Sequence, residues 1–224
     1  MHLAHSYWDF AAGASHGLRD PITMCRVYLE LLGDKPEDTQ QTIALVIEEL
    51  DRMAKIVDAL ELLAEAERAD FVRAEPIDLE LFAHELIAGA STLAPRDWKL
   101  DAAAGVLMAD RERLTEVVMQ LASNAVEHTL EGDTIAIGTA LDEDEDEARL
   151  WVRDAGVGVP ESEREHIFDR FARGREAHRR YRGSGLGLAV VKAVAEAHGG
   201  RVELESQVQS GSTFTIVLPR RSGG

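Results

Sequence analysis

Four stretches of this 224-residue chain hold groups suited to chemistry. Near the start, Ser15-His16 lies within the stretch from Phe10 to Thr23, just ahead of Pro21, and His16 is the candidate for chemistry on a protein side chain. Farther along, Asp154 precedes Gly156 and Gly158. Its carboxylate can accept from an exocyclic amine such as that of adenine, and the two glycines let backbone approach a flat ring. Gly183, Gly185 and Gly187, at alternate positions, open directly into a helical stretch, so backbone N–H groups and a positive helix end are available to a phosphate chain. Finally, Glu116, Gln120, Asn124 and Glu127 stand three or four residues apart and project from one helix face, a polar stripe of a kind that is commonly just solvated. Neither glycine cluster sits in a strand-turn-helix unit at the head of a parallel repeat, and neither ends in Gly-Lys-Ser or Gly-Lys-Thr, so the dinucleotide-binding and Walker readings both fail.

The elements that must position these groups follow from periodicity. Leu18, Ile22, Cys25, Leu29 and Leu32 are spaced 4, 3, 4 and 3, the seam of a coiled helix, and His16 lies off that seam. Pro21 is expected to bend or loosen this helix. Gly33-Asp34-Lys35-Pro36 reads as a stop and restart, and Ile43, Val46, Leu50, Met53, Val57, Leu60 and Ala64 repeat the pattern to about Arg68. Two such helices joined by a short loop leave an apolar stripe that one pair cannot cover, and a homodimeric four-helix bundle is the economical solution. A linker from Phe71 to Pro76 leads into a first strand or turn, and helical spacing runs from Ile77 to Leu93. Trp98–Leu100 and Val106–Met108 are short strand candidates, and Asp110 caps a helix from about Arg111 to Thr129. Thr134–Leu141 and Arg149–Val152 alternate as antiparallel strands, joined by six acids that read as a solvated hairpin tip because like charges repel. A helix from about Leu188 to His198 and strands Arg201–Gln207 and Ser212–Leu218 complete an α+β arrangement with helices on one face of a mixed sheet. Two domains are therefore expected, 1–70 and 71–224.

Charge and composition exclude several classes. The formal charge is -17, with 6 basic against 14 acidic residues before a cut after Asp70 and 18 against 27 after it, so neither part suits a phosphate backbone. The single cysteine, Cys25, forms no internal disulfide, and no stretch is apolar for the length of a membrane span or signal peptide. A cytoplasmic location without nucleic-acid or membrane contact is expected, whether the chain is free or the cytoplasmic part of a membrane-bound sensor.

Taken together, these motifs resemble the transmitter region of two-component sensor histidine kinases over nearly the whole chain. The stretch around His16 resembles the H box, Gln120–Thr129 the N box, Asp154–Gly158 the G1 box, Ile167–Phe171 the F box, Gly183–Gly187 the G2 box, and Gly211–Phe214 the closing glycine motif. The resemblance implies a dimerisation and phosphotransfer hairpin followed by an ATP-binding α/β sandwich of the histidine kinase, Hsp90 and gyrase type. It also implies that His16 accepts phosphate from ATP and passes it to an aspartate of a response-regulator receiver domain. Asn124 would coordinate Mg2+, Asp154 would hold the adenine amine with Thr213 nearby on the base, and Gly156 and Gly158 would shape the base pocket. Gly183, Gly185, Leu186 and Gly187 would line the triphosphate. Phe168, Phe171 and the basic residues Arg173, Arg175, Arg179, Arg180 and Arg182 would belong to the ATP lid. The chain departs from the family at Gly17, where a carboxylate usually follows the histidine, at Asp20, where threonine or asparagine is preferred, and at Gln120 and Glu127 in the N box. A catalytically impaired homologue acting as a nucleotide-binding scaffold is the alternative these departures leave open, and an ATP-dependent clamp is a third.

Overall fold

A computed structural model describes residues 17–32, 36–172 and 184–220. The described residues form two compact units, 17–32 and 36–64 with 169–172 and 184–186, and 65–168 with 187–220.

The first unit is built on two helices, α1 over residues 17–30 and α2 over Pro36–Glu65. Helix α1 continues through Pro21 instead of breaking there, and the Thr23 hydroxyl closes on the Arg19 carbonyl one turn back (2.8 Å). Within one chain no residue of the expected seam is buried: Ile22, Leu29, Leu32, Ile43, Leu50 and Val57 are exposed and Leu18, Cys25, Val46, Met53 and Leu60 half-buried, whereas the buried Ile56 and Leu63 lie off that seam.

The second unit holds two sheets. Strand β1 (Glu75–Asp78) pairs antiparallel with β3 (Val106–Ala109). The five-stranded sheet runs β2 (Asp97–Asp101), β4 (Thr134–Asp142), β5 (Glu147–Asp154), β7 (Gly211–Pro219), β6 (Arg201–Gln207), with only β2 and β4 parallel. Helices α3 (Leu79–Ala90), α4 (Arg111–Glu127) and α6 (Gly187–Ala197) pack with this sheet, and a short α5 (Glu161–Arg164) follows β5. Ile77 and Asp78, expected in a helix, are instead the end of β1, because Asp78 is the N-cap of α3 and accepts from the Leu81 N–H at 3.0 Å.

Strand alternation sorts the sheet into two faces. Ile135, Ile137, Leu150, Val152, Phe214 and Ile216 share the buried one. Against them α4 contributes Leu114, Val117, Val118 and Leu121, each worth about 1.5–3 kcal/mol on burial. On the other face Trp151 lies flat over Gly138, where a Cβ would come 2.0 Å from the indole, and Arg153 stands 5.7 Å from that ring. The core thus pins β5 from one side, and its last residue, Asp154, emerges on the core face at the strand end.

Candidate active site

Asp154 is buried at 7% exposure and its cross-strand neighbour is Ser212, also buried. The carboxylate accepts the Gly156 N–H at 2.8 Å. Burial pushes the Asp154 carboxyl above the ordinary carboxylate range, an effect the Gly156 N–H, the charge of His128 and the Ser212 N–H partly offset. An acceptor kept in a nearly dry position is suited to an amine donor. Thr213, expected beside the base, projects from the opposite face, opposite Arg153, because successive strand residues alternate; Ser212 takes the position next to Asp154.

Both glycines of the loop after Asp154 are required by close approach. A Cβ on Gly156 would meet the His128 carbonyl oxygen at 2.3 Å, and Gly158, at φ +71°, would meet the Gln207 carbonyl oxygen at 2.2 Å. The loop is therefore clamped between the end of α4 and the turn after β6, where Gln209 also donates to the Val157 carbonyl at 2.8 Å. The end of α4 is itself fixed by Arg96, whose guanidinium donates to the Thr129 hydroxyl and to the Val126 and Thr129 carbonyls.

Helix α4 presents the expected stripe, with Gln120 and Glu127 exposed and Asn124 half-buried. Its start is capped by Asp110, which accepts from the Arg113 N–H (3.1 Å) and the Arg73 N–H (2.9 Å). The Asp110 N–H donates to His198 Nε2 at 3.1 Å, while His198 Nδ1 meets the Val194 carbonyl at 2.8 Å, so His198 is the neutral Nδ1–H tautomer. Burial holds its pKa below the ordinary imidazole value, partly offset by the Val194 carbonyl and Asp110. His198 thereby joins the end of α6 to the start of α4.

At its other end α6 begins with Gly187, where a Cβ would fall 2.5 Å from the Gln120 amide. The N box thus abuts the start of α6. Leu186 is fully buried. Phe168 meets Phe214 edge-on at 6.2 Å. Phe171 adopts φ +64° and its ring lies where a Cβ on Gly17 would come within 3.1 Å, so the room left by the missing carboxylate is filled by an aromatic edge. Gly185, at φ +71°, passes just as closely to the backbone of Phe171 and Ala172. His16, Gly183 and Arg173, Arg175, Arg179, Arg180 and Arg182 lie outside the described residues.

These residues fit a purine nucleotide: a buried acceptor, a glycine loop held by close backbone approach, and a helix N-terminus at the far end. For a metal, no cluster of three or more His, Cys, Asp or Glu exists among the described residues, so a divalent ion would draw on Asn124 and on phosphate oxygens, the mode usual for Mg2+. Sequence reasoning missed Ser206, Arg164, Arg96 and His198. Only Ser212 was within reach, through the period of two along β7.

Comparison with known proteins agrees with this geometry. Residues 9–69 match the His Kinase A (phospho-acceptor) domain, and residues 109–222 match the Histidine kinase-, DNA gyrase B-, and HSP90-like ATPase family, which implies ATP binding. The probable sensor histidine kinase TcrY of Mycobacterium tuberculosis is 35% identical over 218 residues, 94% of this chain and 45% of TcrY. Sensor protein SrrB of Staphylococcus aureus is 31% identical over 228 residues, 95% of this chain and 38% of SrrB. The chain spans less than half the length of these curated relatives. Histidine kinase ThkA, solved in complex with response regulator protein TrrA, shares the fold with a TM-score of 0.75 at 23% identity, over 96% of this chain and 62% of that one. The chain belongs to the sensor histidine kinases of two-component systems and carries the phospho-acceptor and ATP-binding domains of their transmitter region.

Proposed function

We propose that the chain phosphorylates itself on His16 with ATP and passes the phosphoryl group to an aspartate of a response-regulator receiver domain. The observation that carries this reading is the nucleotide site, assembled from Asp154, Gly156, Gly158, Asn124 and the start of α6, in the same chain as a matched phospho-acceptor hairpin.

Asp154 accepts from the adenine amine and the clamped glycine loop receives the ring. At the other end, backbone N–H groups and the positive end of α6 face the phosphate oxygens, and Asn124 would hold Mg2+. Magnesium supplies charge neutralisation at the phosphates. The lone pair of a neutral His16 nitrogen attacks the γ-phosphorus in line, the bond to the bridging oxygen breaks, ADP leaves and the imidazole sheds its proton. An aspartate oxygen of the receiver then attacks the same phosphorus, the P–N bond breaks, and the departing nitrogen takes up a proton to restore neutral His16. The solved ThkA–TrrA complex supports a regulator as partner for a chain of this fold.

The exposed stripe of Ile22, Leu29, Ile43 and Leu50 supports a homodimer, closed as a four-helix bundle around the hairpin. Among the described residues no helix is long and apolar enough to cross a membrane. Dependence on ATP and a receiver partner supports a cytoplasmic location.

A second reading, a nucleotide-binding scaffold, draws support from Gly17: with no carboxylate beside His16 and the Phe171 ring in its place, the general base is missing. Incubation with γ-labelled ATP and magnesium decides. Acid-labile label on the wild type that is absent from His16→Gln supports the kinase; tight ATP binding with no label on either supports the scaffold.

A further inference from the structure

We propose that Ser206 is a specificity-determining positioning residue, which aims the Ser212 hydroxyl so that Asp154 and Ser212 together offer an acceptor beside a donor. The inference rests on the reading that the purine base lies at Asp154.

Ser206 stands opposite Ser212 in the β6–β7 ladder, and their hydroxyl oxygens are 3.0 Å apart. The Ser206 oxygen accepts the Val159 N–H at 2.7 Å. Its one proton therefore has two possible acceptors, Ser212 Oγ and the Gly211 carbonyl, also at 3.0 Å. Val159 is held from its other side as well, since its carbonyl accepts Arg164 Nε at 3.2 Å while Arg164 Nη2 donates to the Ser206 carbonyl. Val159, Arg164 and Ser206 close a ring of hydrogen bonds that fixes the Ser206 hydroxyl in place between the glycine loop and β7.

The direction of one proton then decides what a ligand meets. With Ser206 donating to Ser212, the proton of Ser212 is free, and the Asp154–Ser212 pair reads acceptor then donor. With Ser206 donating to Gly211, Ser206 Oγ is left to accept the Ser212 proton, and once it does only lone pairs face outward. An adenine edge carries a donor at its exocyclic amine and an acceptor at the adjacent N1, so it matches the first arrangement alone. A 6-oxopurine sets an acceptor against the Asp154 carboxylate and is refused. The Ser212 N–H, which supports Asp154, keeps the two side chains in register.

The test uses the full chain and equilibrium binding of ATP and of 1-deaza-ATP, in which N1 is replaced by C–H. The wild type should prefer ATP about three- to tenfold, the effect of one hydrogen bond. Ser206→Ala, which leaves the Ser212 hydroxyl without its fixed neighbour, should distinguish the two nucleotides less than the wild type does, and Ser206→Thr should regain the preference; Ser206→Cys, which keeps the volume, replaces the alanine variant if that one fails to fold. A wild type that does not distinguish the two nucleotides, or an alanine or cysteine variant that distinguishes them as well as wild type, overturns the proposal. Asp154→Asn serves as the control. It should weaken both nucleotides at least tenfold, and unchanged binding there would remove the base from Asp154 and both readings with it. Loss in Asp154→Asn with full discrimination kept in Ser206→Ala defeats only the role of Ser206.

Discussion

The hairpin and the ATP-binding domain draw on similar apolar residues and end in opposite conditions. In the ATP-binding domain Leu121, Ile135, Ile137 and Leu150 are 0–1% exposed, while in the hairpin Ile22, Leu29, Ile43 and Leu50 remain 49–56% exposed within one chain. The first region completes its core alone and can devote a buried carboxylate to a ligand. The second leaves its seam for another surface to complete. Stability and function should therefore separate cleanly in one region and stay joined in the other.

Asp154→Asn gives the largest expected effect. Losing a charged acceptor should weaken ATP binding roughly tenfold to a hundredfold by titration calorimetry. The melting temperature should hold or rise, because burial raises the Asp154 pKa above its unfolded value, so the ionised form opposes folding at neutral pH and is relieved only as pH falls through the folded value. A clear drop in melting temperature would mean that the carboxylate is structural and that the domain is less self-contained than its core suggests.

In the hairpin the same separation should fail. Leu50→Glu places a charge in the exposed stripe and should turn dimer into monomer in sedimentation velocity, with a melting transition that becomes independent of concentration, while ATP affinity changes by less than about twofold. A variant that stays dimeric would place the association surface elsewhere.

The smallest effect concerns pH. The His198 pKa lies below its unfolded value, so the unfolded chain takes up the proton first. Its contribution to stability is present above pH about 6.5 and is lost as pH falls through the folded value. The melting temperature of the wild type should therefore drop a few degrees more between pH 7.5 and 5.5 than that of His198→Gln. Equal slopes would show that the link between α6 and α4 carries no pH dependence.

Much of this was legible in the chain because the informative groups are local. Asp154 with its two glycines, the stripe from Gln120 to Glu127, and the cap at Asp110 each declare themselves within a few residues. What escaped depends on distant partners. Ser206 acquires meaning only when β6 meets β7, and Arg96 only when it reaches the end of α4, thirty-odd residues away. As a string, Gly211–Phe214 points to Thr213 as readily as to Ser212, and only the alternation of faces along β7 puts Ser212 beside Asp154. Strand β1 shows in the chain only as a linker leading into a strand or turn, because four residues including Pro76 give no period to count, and its bounds are set by pairing with β3. Gly17 reads in the chain as a missing base, and in three dimensions it is also the space in which Phe171 lies.

The indole lying over Gly138 binds two positions into one unit of inheritance. No side chain can be added at residue 138 while Trp151 keeps its place, and loss of the tryptophan would uncover a bare patch of backbone beneath Arg153. Over generations the two sites can drift only together, and because Trp151 stands three residues before Asp154, that shared constraint shields the strand which delivers the buried Asp154 carboxylate.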